Sequence, residues 1–400
     1  MWRNRNVWII LSGEFITGLG LWMGIIGNLE FMQDKLHSDF LKSLLLAVGI
    51  LAGVSVGPYA GRLTDRTKKK TVMLIAGIVR VVSVVFMFIA IATGSIWWMA
   101  VFLVLHEISA AFYFPALQAA IPLIVDASDL LRLNGIHMNV STLSRIIGTA
   151  AAGILVIIMP LSVLYASSLV AYIGLLILAC FLNIDESKTL QQEQVSTFGG
   201  SNFKEIFPLI KALPIVFITL IMTLVPVLFL GGFNLIVINI SEIQHNSAIK
   251  GWIYTAEGTF FMIGALFIKR ISEKISPYVI LFSCSLLIGL SQFLLLFAEY
   301  PVISVAAFVA FGFSVGCFFP TAATIFQTKV PKDFHGRFFS FRNMLDLLSY
   351  QIILLITGLL LDIIGLQNTC ALFGGLSILI TTVFFIRHKQ FKSHNLRQEK

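Results

Sequence analysis

Charge is what this chain has little of. Asp, Glu, Lys and Arg make up 12% of its 400 residues, against about 25% in a water-soluble domain. A surface wetted on all sides is excluded, and the 58% hydrophobic share implies that most of it faces an apolar medium. Cysteine is scarce too. Cys180, Cys284, Cys317 and Cys370 all lie in apolar runs, which excludes a disulfide scaffold, and no metal-ligand spacing connects them. Alternating strands of about ten residues, the mark of an outer-membrane barrel, are missing. Neither His-Glu-x-x-His nor Gly-x-x-x-x-Gly-Lys-[Ser/Thr] occurs. An intramembrane enzyme or a direct user of ATP is therefore not expected.

What is present is long apolar runs. A helix needs about 20 apolar residues to cross the hydrocarbon core. Twelve stretches qualify: 7–31, 42–62, 71–93, 96–121, 133–158, 161–183, 207–240, 249–268, 278–298, 302–326, 338–364 and 367–386. The fold class is an all-α membrane protein. The seventh span is expected to tilt or break near Pro226 and Gly231-Gly232. Arg3 and Arg5 before the first span imitate a signal peptide, but its length and the lack of a small-residue cleavage site keep it as a span.

With twelve spans both termini share one side, and the loops of that side hold 23 of the 28 Lys and Arg. Lys35, Lys42 and Lys250 fall on the other side, and Arg80 and Arg145 fall inside spans. The positive-inside rule makes the termini cytoplasmic. The net charge of +8 is thus a topology signal. Spread over seven loops, it does not describe a nucleic-acid surface.

The longest polar stretch, 184–206, divides the chain into a six-span unit over 1–183 and another over 207–387, followed by a basic tail, 388–400. The halves echo each other. Phe114-Pro115 near the end of span four matches Phe319-Pro320 near the end of span ten, and Val125 and Arg132 match Val330 and Arg337 at the same offset of 205. Parallel six-span repeats about a midplane site are a transporter architecture.

The loop after span two reads Gly61-Arg62-Leu63-Thr64-Asp65-Arg66-Thr67-Lys68-Lys69-Lys70. It resembles the G-x-L-x-D-R-x-x-[RK]-[RK] signature of the major facilitator superfamily, through Gly61, Leu63, Asp65, Arg66, Lys69 and Lys70. The resemblance implies two pseudo-symmetric six-helix bundles, a carrier that works by alternating access, a small-molecule cargo, and usually a monomer in the lipid bilayer. It also places Asp65 at the start of span eleven, after His335-Gly336-Arg337, as a cytoplasmic gate contact. A carboxylate at a helix N-terminus is favoured by about 0.3–1 kcal/mol when exposed. Gly49, Gly53, Gly57 and Gly61 recur every fourth residue on span two, a spacing that permits close helix approach.

Within the superfamily the chain is similar to the drug:proton antiporter branch that includes macrolide efflux proteins and siderophore exporters. The similarity is carried by Phe112–Pro122, Asn134-Gly135, Arg145-Ile146-Ile147-Gly148 with Gly153, and Gly336-Arg337-Phe338-Phe339-Ser340. Gly148 and Gly153 are read as helix-packing positions. Three departures bear on the coupling chemistry and not on the fold. His106 stands where such exporters often carry Arg in span four, Thr149 follows Gly148 where they have Pro, and Glu14 replaces a Gln of span one.

A charge in the bilayer interior costs at least about 2.5–3.5 kcal/mol on insertion scales, so groups kept there need a partner or a wet cavity. The candidates for coupling or substrate contact are Glu14, His106, Glu107, Arg145, Glu257 and Asp346. Helical rise puts Glu107 and Arg145 both roughly 20 Å above the cytoplasmic boundary, where the two could pair. Arg80, on an outer span, is read as structural. A carboxylate in an apolar cavity holds its proton until a cation approaches. The expected function is therefore proton-coupled export of amphipathic small molecules, with the proton gradient as energy source and no cofactor or metal. Glu107 ranks first, then Glu14, Glu257 and Asp346. A lysolipid flippase or an importer of the same fold is the alternative. Midspan aromatics, Trp22, Tyr113, Phe229, Phe233, Phe311 and Phe318 among them, are candidates to line the cavity. The expected location is a bacterial cell membrane.

Overall fold

The apolar runs do form helices, and most of the breaks between them have a visible cause. A computed structural model of the chain describes residues 2–125, 127–184, 206–331 and 334–398. The helices of the first half are α1 (Arg5–Lys35), α2 (Asp39–Arg66), α3 (Lys69–Thr93), α4 (Ile96–Ala120), α5 (Ala127–Ile158) and α6 (Leu161–Cys180). Asn4 starts α1 by accepting from the Asn6 amide through its side chain at 2.9 Å. Gly94 ends α3 in the left-handed conformation, φ +66°.

Span seven is broken, as Pro226 and the glycine pair predict. It runs as α7 (Ile206–Ala212), α8 (Pro214–Met222), α9 (Leu224–Leu230) and α10 (Phe233–Ile243). Pro226 has no N–H to offer the carbonyl of Met222, the last residue of α8, and Gly231-Gly232 separates the next pair. The remaining helices are α11 (Ala248–Ser272), α12 (Pro277–Leu294), α13 (Pro301–Lys329) and α14 (His335–Gln398). Helix α14 is interrupted at Gly365, with φ +76° and ψ 176°, a conformation almost confined to glycine. Among the described residues eleven helical segments are long and apolar enough to cross a membrane, the last with 54 residues. Dividing that one at Gly365 gives the twelve passes that the sequence predicts.

The chain forms two compact units. The first comprises Met1–His37, Leu41–Thr197 and Lys250–Thr255; the second comprises Ser38–Phe40, Phe198–Ile249 and Ala256–Lys400. The predicted linker, 184–206, lies almost wholly outside the described residues, as does the end of the basic tail.

In the first unit α1 packs on α5 and α6, and α3 packs on α4 and α6. Glycines on α1 let its neighbours in: a Cβ on Gly24 would stand 3.2 Å from Ser168 Oγ, and one on Gly27 3.1 Å from the Tyr165 ring. Val7, Met73, Ala116, Leu117 and Leu133 join in an apolar core at one end of this unit. Two of the three cations assigned to outer loops are buried in it. Lys42 is 1% exposed and Lys250 0%, and Lys250 Nζ donates to Glu30 Oε2. In the second unit α12 packs on α13 and α14. Phe229 stacks on Phe311 at 4.0 Å between ring centres, with Phe308 edge-on at 5.1 Å. These three rings and Phe318 are fully buried, so they serve as core rather than as cavity lining.

Candidate functional site

The first unit holds several ionisable side chains inside its spans. Glu14 comes from α1. His137 Nε2, from α5, lies 3.3 Å from Glu14 Oε2, with side-chain exposures of 13% and 14%. Ser141 follows His137 by one helical turn, so both reach Glu14 from the same face of α5. Helix α4 contributes His106, Glu107 and Tyr113, and α6 contributes Tyr172. Rings lie close to His106, 5.7 Å from that of Phe102 and 5.8 Å from that of Tyr172.

Arg80 enters this cluster from α3. Its guanidinium carbon lies 5.2 Å from the centre of the Tyr113 ring and 5.6 Å from that of Tyr172. The charge of Arg80 acts on Glu14, His106 and Glu107. The geometry therefore differs from the expected pairing of Glu107 with Arg145. Arg145 lies 4.9 Å over the Trp22 ring, which is 5.9 Å from the Tyr254 ring. Arg80, read from the sequence as structural, is buried between the Tyr113 and Tyr172 rings.

Glycines hold Glu107 in place. A Cβ on Gly53 would stand 3.1 Å from the Glu107 carbonyl oxygen, and one on Gly49 3.2 Å from Leu103 Cβ. Gly57 and Gly61 differ: a Cβ there would meet nothing within 4 Å. On α5, a Cβ at Gly148 would stand 3.0 Å from the Leu19 carbonyl oxygen, and Gly153 abuts Gly251.

In the second unit Glu257 is 3% exposed, and Gly312 of α13 presses on its backbone. Gly316 presses on Phe261 in the same way, and Gly264 on Phe313. The two units thus pack their second and fourth spans through glycines against a glutamate, with the roles of the two spans exchanged. Asp346 Oδ2 lies 3.4 Å from Arg342 Nε, one turn earlier on α14.

The loop signature has structural work of its own. Lys70 Nζ donates to the carbonyl of Cys180, the last residue of α6, at 2.7 Å. That is a cation at the negative end of a helix. Lys69 is 2% exposed, Arg66 is exposed and Leu63 is half-buried. The Arg337 guanidinium lies 5.1 Å over the Phe334 ring. The side chain of Asp65, and the surroundings of Gly336, lie outside the described residues.

The sequence does contain two G-x-S-x-G strings, Gly53–Gly57 and Gly312–Gly316. Both lie inside helices. The Ser55 and Ser314 hydroxyls donate to the carbonyls of Leu51 and Ala310, each at 2.7 Å and one turn back. Neither has the strand-to-helix turn that exposes a hydrolase serine. Among the described residues no group of three or more His, Cys, Asp or Glu has the arrangement to hold a metal ion.

Comparison with known proteins fits this architecture. A family model described as Major Facilitator Superfamily matches residues 10–241 and 227–400. The MFS-type transporter YfiS of Bacillus subtilis is 24% identical, over 97% of this chain and 95% of its own. Macrolide efflux protein A of Streptococcus pyogenes is also 24% identical, over 96% of this chain and 95% of its own. Among solved structures, the nucleoside transporter NupG superposes with a TM-score of 0.79, covering 96% of this chain and 99% of its own at 12% identity. That last likeness concerns the fold alone.

Proposed function

Because the chain belongs to the major facilitator superfamily, and so is a multi-pass secondary transporter and not an enzyme, we propose that it exports amphipathic small molecules in exchange for protons. The observation that carries this reading is the pair of glutamates, Glu14 and Glu107, held inside the spans of the first unit beside His137 and Arg80. A carboxylate that stays at depth has a gain only if its charge is used. Protonated, it leaves room for no cation. Ionised, it attracts one, and the incoming positive charge in turn favours loss of the proton. Binding of a cationic amphiphile and release of a proton are thereby linked at the same side chains.

The likeness to macrolide efflux protein A supports the export direction and a cargo of the drug, macrolide or siderophore class. Alternating access then carries the loaded site across a bacterial cell membrane, with both termini in the cytoplasm. Asp65 and the helix start after Arg337 are assigned to the cytoplasmic gate. No cofactor takes part, and the proton gradient supplies the energy.

The test uses the full chain in sealed proteoliposomes with an imposed pH gradient. Ethidium, erythromycin, a catecholate siderophore and a lysophospholipid are offered in turn, with and without a protonophore. Saturable uptake of ethidium or erythromycin that collapses with the protonophore is expected. Glu107→Gln is expected to bring the driven rate down to the rate without a gradient. Gradient-dependent movement of the lysophospholipid alone would replace the drug reading by a lipid one. Flux indifferent to the gradient for every compound would end the coupling reading.

A further inference from the structure

A helix begins with N–H groups that find no partner in its own turn. At the start of α2 two of them are met by a carboxylate 323 residues further along the chain. Asp362 Oδ1 accepts from the Asp39 amide at 2.6 Å, and Oδ2 accepts from the Phe40 amide at 3.1 Å and from the Ser38 hydroxyl at 2.6 Å. Asn239 of α10 adds a fourth bond, its Nδ2 donating to Asp39 Oδ2 at 2.9 Å. Asp362, Asn239 and Ser38–Phe40 all belong to the second unit, whereas α2 from Leu41 onward belongs to the first. Helix α2 is therefore one continuous element whose opening turn is held with the second unit.

Span order puts the partners on one face of the membrane. Helix α1 leads from the N-terminus to the start of α2, so Ser38–Phe40 lies on the side opposite the termini, the outer side in the reading above. Asp362 ends span eleven just before the corner at Gly365, on that same side. Asp362 is itself exposed. If the contact parts, water takes over carboxylate and amides alike, and neither is left buried without a partner. Such a set of bonds can be broken and remade.

We propose that Asp362 is an outer latch: its carboxylate holds the first turn of α2 while the outer side is closed and releases it when that side opens. A cap that serves only its own helix comes from the residue just before it, as Asn4 does for α1. Here the cap comes from a distant span, so α2 keeps a favoured start only while the two stay together. The inference rests on alternating access in the reading above, and on neither the cargo nor the coupling ion.

Hydrogen–deuterium exchange of the full chain in lipid nanodiscs, read by mass spectrometry, follows both sides at once. Asp362→Ala is expected to raise the exchange rate at the outer ends of α2 and α10, in peptides covering 38–45 and 236–243, by about two- to fivefold. It is expected to lower exchange at the cytoplasmic ends of α2 and α13, in peptides covering 61–66 and 322–329, because a chain released outside spends more time closed inside. A rise confined to 38–42 with unchanged cytoplasmic peptides would mark a plain helix cap and overturn the proposal. Equal exchange throughout wild type and variant would overturn it too. Should Asp362→Ala fail to accumulate, Asp362→Asn keeps the shape and removes the charge. It is expected to move both sets in the same directions by less, and unchanged cytoplasmic peptides overturn the proposal there as well. Flux indifferent to a pH gradient would instead remove the coupling reading and leave this result standing, since exchange is read without cargo or gradient.

Discussion

At the residue scale the contact between Glu14 and His137 joins α1 to α5 through two ionisable side chains. The two side chains approach to 3.3 Å in a poorly wetted place. Removing one partner leaves the other buried without its counterpart. Glu14→Gln and His137→Asn are each expected to destabilise, and the double variant to be less harmed than the sum. The coupling should be about 0.5–3 kcal/mol, read as shifts in thermal unfolding in detergent. Additive effects would show that the two side chains act apart. The sequence made such residues visible one at a time but not their partners. Rise per residue gives depth in the membrane, which is why Glu107 and Arg145 looked paired. Depth says nothing of the direction in which a side chain leaves its helix. Arg80 meets the Tyr113 ring because α3 and α4 turn those sides together, and that rotation is set by packing on both helices.

At the scale of the helix, glycine decides how close two spans come. Leucine at Gly53 would drive a side chain into the Glu107 carbonyl, 3.1 Å from the first added carbon. Overpacking of this kind costs about 1–3 kcal/mol. Gly53→Leu is therefore expected to lower the unfolding temperature and to disturb the pH response of Glu107. Gly57→Ala, whose added carbon meets nothing within 4 Å, should change neither. A similar loss for both would mean that Gly57 is as closely packed as Gly53, since either exchange by itself raises helix propensity. The fourfold spacing of glycines on span two was legible in the sequence; which of them touch a neighbour was not. The break of span seven was legible because Pro226 and Gly231-Gly232 act on their own backbone, with no need of a neighbour.

At the scale of the whole molecule the repeat governs what the chain tolerates. The two units divide chiefly within the linker, although Lys250–Thr255 of α11 belongs with the first and Ser38–Phe40 with the second. Residues 1–197 and 198–400, produced as two polypeptides in one cell, are expected to co-purify and to restore gradient-driven transport, whereas either alone should not transport. Halves that never associate would show that the covalent connection is needed for assembly. The twelve passes were readable because bilayer thickness fixes the length of an apolar run. The last two are divided by the sequence at 365–366, and the structure joins them as one helix bent at Gly365 instead of two helices with a loop. The corner between these two crossings therefore falls on a single residue, and any side chain larger than hydrogen at 365 would have to hold it against about 1–3 kcal/mol of backbone strain.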